Sequence, residues 1–363
     1  MQHRAVHAPL TVLNVAYPLA PVGPDAVGGA EQVLGMIDDF LVRSGHRSVV
    51  IACEGSAVRG ALISTPRVEG RIDEAARAFV REQHRRAIKK ALSAGHIDVV
   101  HMHGIDFEHY LPPEGAPALV TLHLPLAWYP PSSLRPARPL TYLHTVSAAQ
   151  HATRPRSLDL LPPIDNGVPV EELSLTVSKR NFVLSLGRIC PEKGFHLALD
   201  AAGRAGIPLI LAGALYPYEV HMRYFTEEIR PRLEGRQHRF LGPVGFFRKR
   251  RLLTAARCLL IPSLVAETSS LAAMEALACG TPVIAFPSGA LADIVEQGKT
   301  GFIVRDVREM AEAIAAAPEI DPGLCRSEAR RRFSHTAMVQ RYLERYCALA
   351  ANRKLSSKEC EVS

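Results

Sequence analysis

The sequence predicts an α/β protein built from two doubly wound parallel-sheet domains in tandem, facing a central cleft. Three observations carry this expectation. Short apolar runs alternate with amphipathic helical stretches along most of the chain, the pattern of a parallel sheet covered by helices on both faces. The alternation stops once, at LLPPIDNGVPVEEL (160–173), a segment rich in Pro, Asn and Gly that reads as a turn-containing linker, and then restarts. The 363 residues, 47% of them hydrophobic, supply apolar material for two cores.

The elements follow in order. TVLNVAY (11–17) reads as a first buried strand, GGAEQVLGMIDDFLVRSG (28–45) as a helix with Gly45 just past its end, and HRSVVIAC (46–53) as a second strand. A helix is expected over 73–94, then the buried strands IDVVHMHG (97–104) and ALVTLHLP (118–125), then strand and helix start in TYLHTVSAAQ (141–150). After the linker come a strand at 181–188, a helix at 196–206 and a strand at 208–213. A helical stretch at 219–235, strand and turn at 238–244, a helix at 248–256 and the strand CLLIPS (258–263) follow. A short helix, the strand PVIAF (282–286), GKTGFIV (298–304) and a helix at 307–317 complete the second unit. The expected division is 1–172 for the first domain, 173–334 for the second, a helix at 335–350 packing back on the first domain, and a polar, disordered tail at 351–363.

The start of the sequence lacks a long apolar core with a small-residue cleavage site, and no run of about 18 apolar residues predicts a membrane span. Seven scattered cysteines without CxxC spacing argue for reduced thiols in a cytoplasm and against a disulfide framework or zinc site. The net charge of +7 suits anionic ligands. Two basic clusters, REQHRRAIKK (81–90) and FFRKRR (246–251), read either as solvated helix faces or as contacts to an anionic membrane surface, at the inner face, or to a polyanionic acceptor. Nucleic acid is not expected as a partner, because no interleaved aromatic and basic strand pattern is present.

In an open α/β sheet, ligands bind outside the carboxyl ends of the strands, so the chemistry should sit in loops that follow strands. AETSSLAAMEALACG (266–280) is such a segment. Ser269 or Ser270 is placed to cap a helix whose free N–H groups suit a phosphate. Glu275, in its second turn, can accept two hydrogen bonds from a ribose diol, and Glu267 on the preceding loop can read sugar hydroxyls. LSLGRICPEKG (184–194) is the second such segment: Arg188 and Lys193, in a turn with Gly187 and Gly194, suit a diphosphate. No GxGxxG motif stands in the chain, which removes the nicotinamide dehydrogenase reading. His101 and His103 read as hydrogen-bonded core histidines; His123, at a strand end, reads as a site residue.

These segments resemble retaining glycosyltransferases of the GT-B fold, family 4. The resemblance rests on GR-x-x-PEKG (187–194), on PS-x-x-x-E followed by E-A-x-A-x-G-x-PV (262–283), and on IVEQGKTGFIV (294–304). GGAE (28–31), DVVHMHG (98–104), TLH (121–123), VS (146–147) and NGV (166–168) follow in the family's order. It implies two Rossmann-like domains and a nucleoside-diphosphate-sugar donor, with no cofactor and no required metal. Arg188 and Lys193 would neutralise the diphosphate, Glu275 would hold the ribose, and Glu267 would contact the transferred sugar. Gly28 and Gly29 would let backbone approach the phosphates, and amides near Ser269, Ser270 and Leu271 would bind phosphate or sugar. The turn at Gly242–Val244 would lie against the base, and His123 near the reacting sugar. The implied reaction transfers a hexose-type sugar to an unidentified acceptor hydroxyl with retention. A same-fold phosphorylase or epimerase, or a non-catalytic nucleotide-sugar-binding protein, is the rival. One departure stands out: Thr268 and Ser269 occupy the place of the family's usual aromatic–glycine pair.

Overall fold

The computed structural model describes residues 8–70, 72–235 and 237–360, with residues 353–360 described by their backbone alone. The first domain runs β1 (Thr11–Val15), α1 (Gly29–Arg43), β2 (Arg47–Cys53), β3 (Ala61–Thr65), α2 (Glu74–Ala94), β4 (Val99–Met102), β5 (Ala118–Leu122), β6 (Thr141–Thr145) and α3 (Ala148–Ala152). Its six strands are all parallel, in the order β3-β2-β1-β4-β5-β6. β4 and β5 are buried along their whole length, which is why their sequences read as apolar runs and not as alternation.

The linker holds one turn of helix, α4 (Val170–Leu173), before the second domain begins. That domain contains β7 (Val183–Leu186), α5 (Phe195–Arg204), β8 (Leu209–Ala212), α6 (Glu219–Tyr224), α7 (Arg230–Leu233), β9 (Arg239–Phe240), α8 (Phe246–Ala255) and β10 (Leu259–Ile261). It continues through α9 (Leu271–Ala278), β11 (Val283–Ala285), α10 (Leu291–Ile294), β12 (Gly301–Ile303), α11 (Val307–Ala316) and α12 (Pro322–Arg332) to the last helix, α13 (His335–Cys360). The sheet order β12-β11-β10-β7-β8-β9 repeats the first domain's topology. Between α6 and α7 the helix widens to a π-turn at Phe225–Ile229. Pro231 follows it and has no N–H to continue the ladder.

Two differences from the sequence expectation stand out. β3, an edge strand with mostly exposed residues, and α12, whose surface is strongly polar, were not anticipated. The polar tail expected at 351–363 is helical through Cys360, as a continuation of α13 whose preceding turns are anchored; residues 361–363 lie outside the described residues.

The chain crosses between domains at two adjacent places. Val168 N donates to Phe333 O at 2.8 Å, and His335 N donates to Val168 O at 3.0 Å, so linker and return strand run side by side. α13 then lies against α1 and β4. Val33, Ile37 and Leu41 of α1 share one core with Met338, Val339, Tyr342 and Tyr346 of α13. Strand order reverses between β1 and β4 in one sheet and between β7 and β10 in the other. These are the two switch points where the loops open a crevice.

Candidate functional site

The loop after β7 is shaped by close backbone approach. Gly194 has φ +63°, and a Cβ there would stand 2.2 Å from the carbonyl oxygen of Pro262 at the end of β10. Only glycine lets the turn close onto the neighbouring strand end. Leu264 N completes the closure by donating to Glu192 O at 2.8 Å. The turn thereby presents Lys193 to the loop after β10, where its Nζ lies 2.6 Å from Glu267 Oε1. Ser263 Oγ donates to the same carboxylate oxygen. Ala290 N donates to Glu267 O at 2.9 Å and fixes the backbone of that residue. Arg188 is exposed and forms no ion pair among the described residues, so its guanidinium is available to an anion.

The first domain faces this turn with GGAE. A Cβ on Gly28 would meet the Glu31 carboxylate at 1.8 Å, so Gly28 makes room for an acid that folds back beside it. Glu31 is 6% exposed; burial raises its pKa, and the nearby Arg188 charge opposes that rise. Sequence reasoning quoted this glutamate but gave it no role. Gly29, at the start of α1, places its Cα so that a Cβ would stand 3.4 Å from Leu271 Cδ1, so the first turns of α1 and α9 meet across the cleft. Ser270 is the N-cap of α9 but makes no side-chain cap bond, and the buried Ser269 hydroxyl has no partner among the described residues. The first-turn amides of α9 therefore keep their donor capacity.

Glu275, 4% exposed on α9, pairs with Lys249 of α8 at 2.5 Å. Lys249 belongs to the basic run 246–251, so that cluster is partly internal to the site and is not only a solvated face. In the other run, Arg81 pairs with Asp106, and Arg85 and Arg86 pair with Glu82. Gly242, at φ +67° with open space around it, and the half-buried Val244 lie on the loop between β9 and α8. That loop docks on the first domain where Phe246 N donates to Asp25 Oδ1 at 2.7 Å.

The departure at 268–269 acquires a physical content. Thr268 Oγ1 donates to His123 O at 2.8 Å, and Ser147 Oγ donates to Thr268 O at 2.5 Å. Thr268 thus ties two strand-end loops of the first domain to the second. His123 is half-buried, its Nε2 3.1 Å from His103 Nδ1, and burial pushes its pKa down to about 3. Among the described residues, one group could hold a metal ion: Cys190, Glu192 and His221, whose ligand atoms lie within 4.8 Å of one another. The Arg188 charge beside all three opposes a cation there. The six cysteines with described side chains are unpaired, and no described helix is long and apolar enough to cross a membrane.

Two cations, a carboxylate paired with one of them and a helix start thus lie on the loops at the switch point of the second sheet. Residues 172–338 match the family described as glycosyl transferases group 1. That match lies on the second domain. It is accompanied by similarity to curated relatives. The D-inositol 3-phosphate glycosyltransferase of Mycolicibacterium paratuberculosis is 30% identical over 184 residues, 50% of this chain and 41% of that protein. The protein so named from Mycobacterium bovis is 34% identical over 166 residues, 43% of this chain and 33% of that protein. The chain therefore matches less than half the length of these relatives. AviGT4, a glycosyltransferase involved in avilamycin A biosynthesis, superposes with TM-score 0.69 at 26% identity, over 94% of this chain and 98% of that one. The sucrose-phosphate synthase of Thermosynechococcus elongatus gives TM-score 0.77 at 19% identity, covering 94% and 100%. Anabaena HepE in complex with UDP-glucose gives 0.72 at 18%, covering 93% and 100%. The shared architecture is the GT-B glycosyltransferase fold.

Proposed function

We propose that this protein is a retaining, family 4 glycosyltransferase that moves a hexose-type sugar from a nucleoside diphosphate to an acceptor hydroxyl without a metal. The observation that carries the reading is the meeting of Arg188, Lys193 and the α9 amides at the switch point of a group 1 domain, with Glu267 between them. Arg188 supplies a fork of donors to the diphosphate and Lys193 a point charge. Together with the α9 dipole they stabilise the charge that develops on the leaving group. Glu267 spends one oxygen on Lys193 and Ser263, which leaves the other to accept from a sugar hydroxyl. Glu275 accepts from the ribose diol, with Lys249 holding its carboxylate in place.

The acceptor enters from the first domain, beside His123, and the departing phosphate takes up its proton on the front face. Solved structures of Anabaena HepE with UDP and UDP-glucose, on the same fold, support the donor class. The inositol-phosphate relatives support a small polyol or its phosphate as one acceptor class to test. Exposed Phe79 and, about three turns further along α2, exposed Lys89 and Lys90 support peripheral contact with an anionic lipid surface. The test is incubation with UDP-, GDP-, ADP- and TDP-hexoses plus acceptor alcohols, with the anomeric configuration of the product read by NMR. An α-linked product from an α-linked donor supports the reading. An inverted product, or release of sugar 1-phosphate on adding inorganic phosphate, contradicts it.

A further inference from the structure

A file of buried polar side chains runs from β6 through β5 and β4 to the last helix, and its hydrogen bonds have only one consistent direction. It begins at His144, whose Nδ1 lies 3.0 Å from the Thr145 carbonyl oxygen. A carbonyl only accepts, so His144 Nδ1 carries the proton and its Nε2 is an acceptor. Thr121 Oγ1, 2.7 Å from that Nε2, must donate to it. The same hydroxyl oxygen then accepts from His101 Nε2 at 2.7 Å. His101 Nδ1 is left as an acceptor, and the Tyr346 hydroxyl of α13 donates to it at 2.6 Å. His101, Thr121 and His144 are fully buried, so no water competes for these bonds.

His101 packs its ring on that of His103 at 3.9 Å between centroids, and the two rings hold each other in place. His103 Nδ1 lies 3.1 Å from His123 Nε2, while His103 Nε2 is buried and has no partner among the described residues. Burial and the neighbouring rings keep His103 neutral, so it owns one N–H. An N–H at Nε2 would be a buried donor with nothing to donate to, which is rarer and costlier than an idle lone pair. The proton therefore sits on Nδ1 and is donated to His123 Nε2. His123 must then hold its own proton on Nδ1.

We infer that His103 is a positioning residue that locks His123 in the Nδ1–H tautomer, so that His123 offers the cleft a hydrogen-bond donor and not a general base. Its one basic nitrogen is occupied by His103. The inference rests on the proposed function only for what that N–H meets: an oxygen of the bound sugar or phosphate. It makes His123 a group that orients the donor while leaving proton removal from the acceptor to another atom.

Long-range 1H–15N correlation NMR on the histidine-labelled wild-type protein reads the tautomer directly and needs no variant and no turnover. The expected spectrum shows His123 as Nδ1–H; an Nε2–H pattern overturns the inference whether or not the protein transfers sugar. Two variants test the role. The amide nitrogen of His103→Asn stands near the Nδ1 position and can still donate, so it should keep the His123 tautomer and turnover near wild type. His103→Leu removes the donor, so His123 should shift toward Nε2–H and kcat should fall about tenfold with donor KM little changed. Equal kcat in the two variants, each confirmed folded by its melting curve, overturns the positioning role. Should no sugar transfer be found in any assay, the shift in tautomer between the two variants still decides it.

Discussion

The Thr268 hydroxyl donates to the His123 carbonyl across the cleft at 2.8 Å. The residue that departs from the pattern this sequence resembles therefore bridges the two domains beside His123. Thr268→Val keeps the shape and deletes this donor, at a cost of about 1 kcal/mol for a neutral hydrogen bond. The expected result is a larger radius of gyration of the free protein in small-angle scattering and a raised donor KM. An unchanged scattering curve and unchanged KM would show that the bond does not hold the domains together.

Lys193 and Glu267 form a pair in which Glu267 has only 10% of its side chain exposed. Lys193→Ala removes both a diphosphate contact and the partner of a largely buried carboxylate. Turnover should fall by about two orders of magnitude, the scale of a lost charge-stabilising donor. Lys193→Arg should recover part of it. Activity within a factor of two of wild type in the alanine variant would remove Lys193 from the site.

Glu275 is buried and Lys249 is half-buried, at 5% and 14% side-chain exposure. Lys249→Met strands the carboxylate, with an expected stability loss of about 3 kcal/mol by denaturant titration. Glu275→Gln should cost less stability and instead weaken nucleotide binding. The double variant should regain part of the loss, because the stranded charge is gone. Simple additivity would mean that the pair is not coupled.

The buried histidines predict an acid-labile fold. Burial lowers His123 and His144 to about 3, and His101 and His103 lie well below the usual histidine range. Each folded-state pKa is depressed, so the unfolded chain binds the proton first. Their contribution is complete above about pH 6.5 and is lost as pH falls toward 3, at roughly 1.4 kcal/mol per pH unit for each histidine. The melting temperature should drop steeply below about pH 6. A flat profile from pH 7 to 5 would contradict the neutral, buried assignment.

The strand–loop boundaries of the site were legible because chemistry and periodicity change at the same residue. Leu186 ends an apolar run and Gly187-Arg188 follows; Ile261 ends another and Ser263 to Glu267 follow. What stayed hidden depends on long-range contacts. Lys249 stands in a basic run that looks solvated, and only the packing of α8 on α9 gives it to Glu275. Glu31 lies inside a helical pattern, and its return over Gly28 is a tertiary event. The far end of the histidine file is Tyr346, which stands 245 residues from His101. β3 escaped notice because its exposed face carries no strong alternation.

The central claim is that a nucleoside diphosphate sits on Arg188, Lys193, the α9 start and Glu275. Thermal-shift titration of the wild type with UDP, GDP, ADP, TDP and their hexoses tests it most directly, because a ligand bound only by the folded state stabilises it by about 2.7 kcal/mol at a hundredfold excess over Kd. The account predicts that at least one diphosphate raises the melting temperature, and that the rise shrinks in Arg188→Ala and in Glu275→Ala. No shift with any of them, or an equal shift in wild type and both variants, would contradict it.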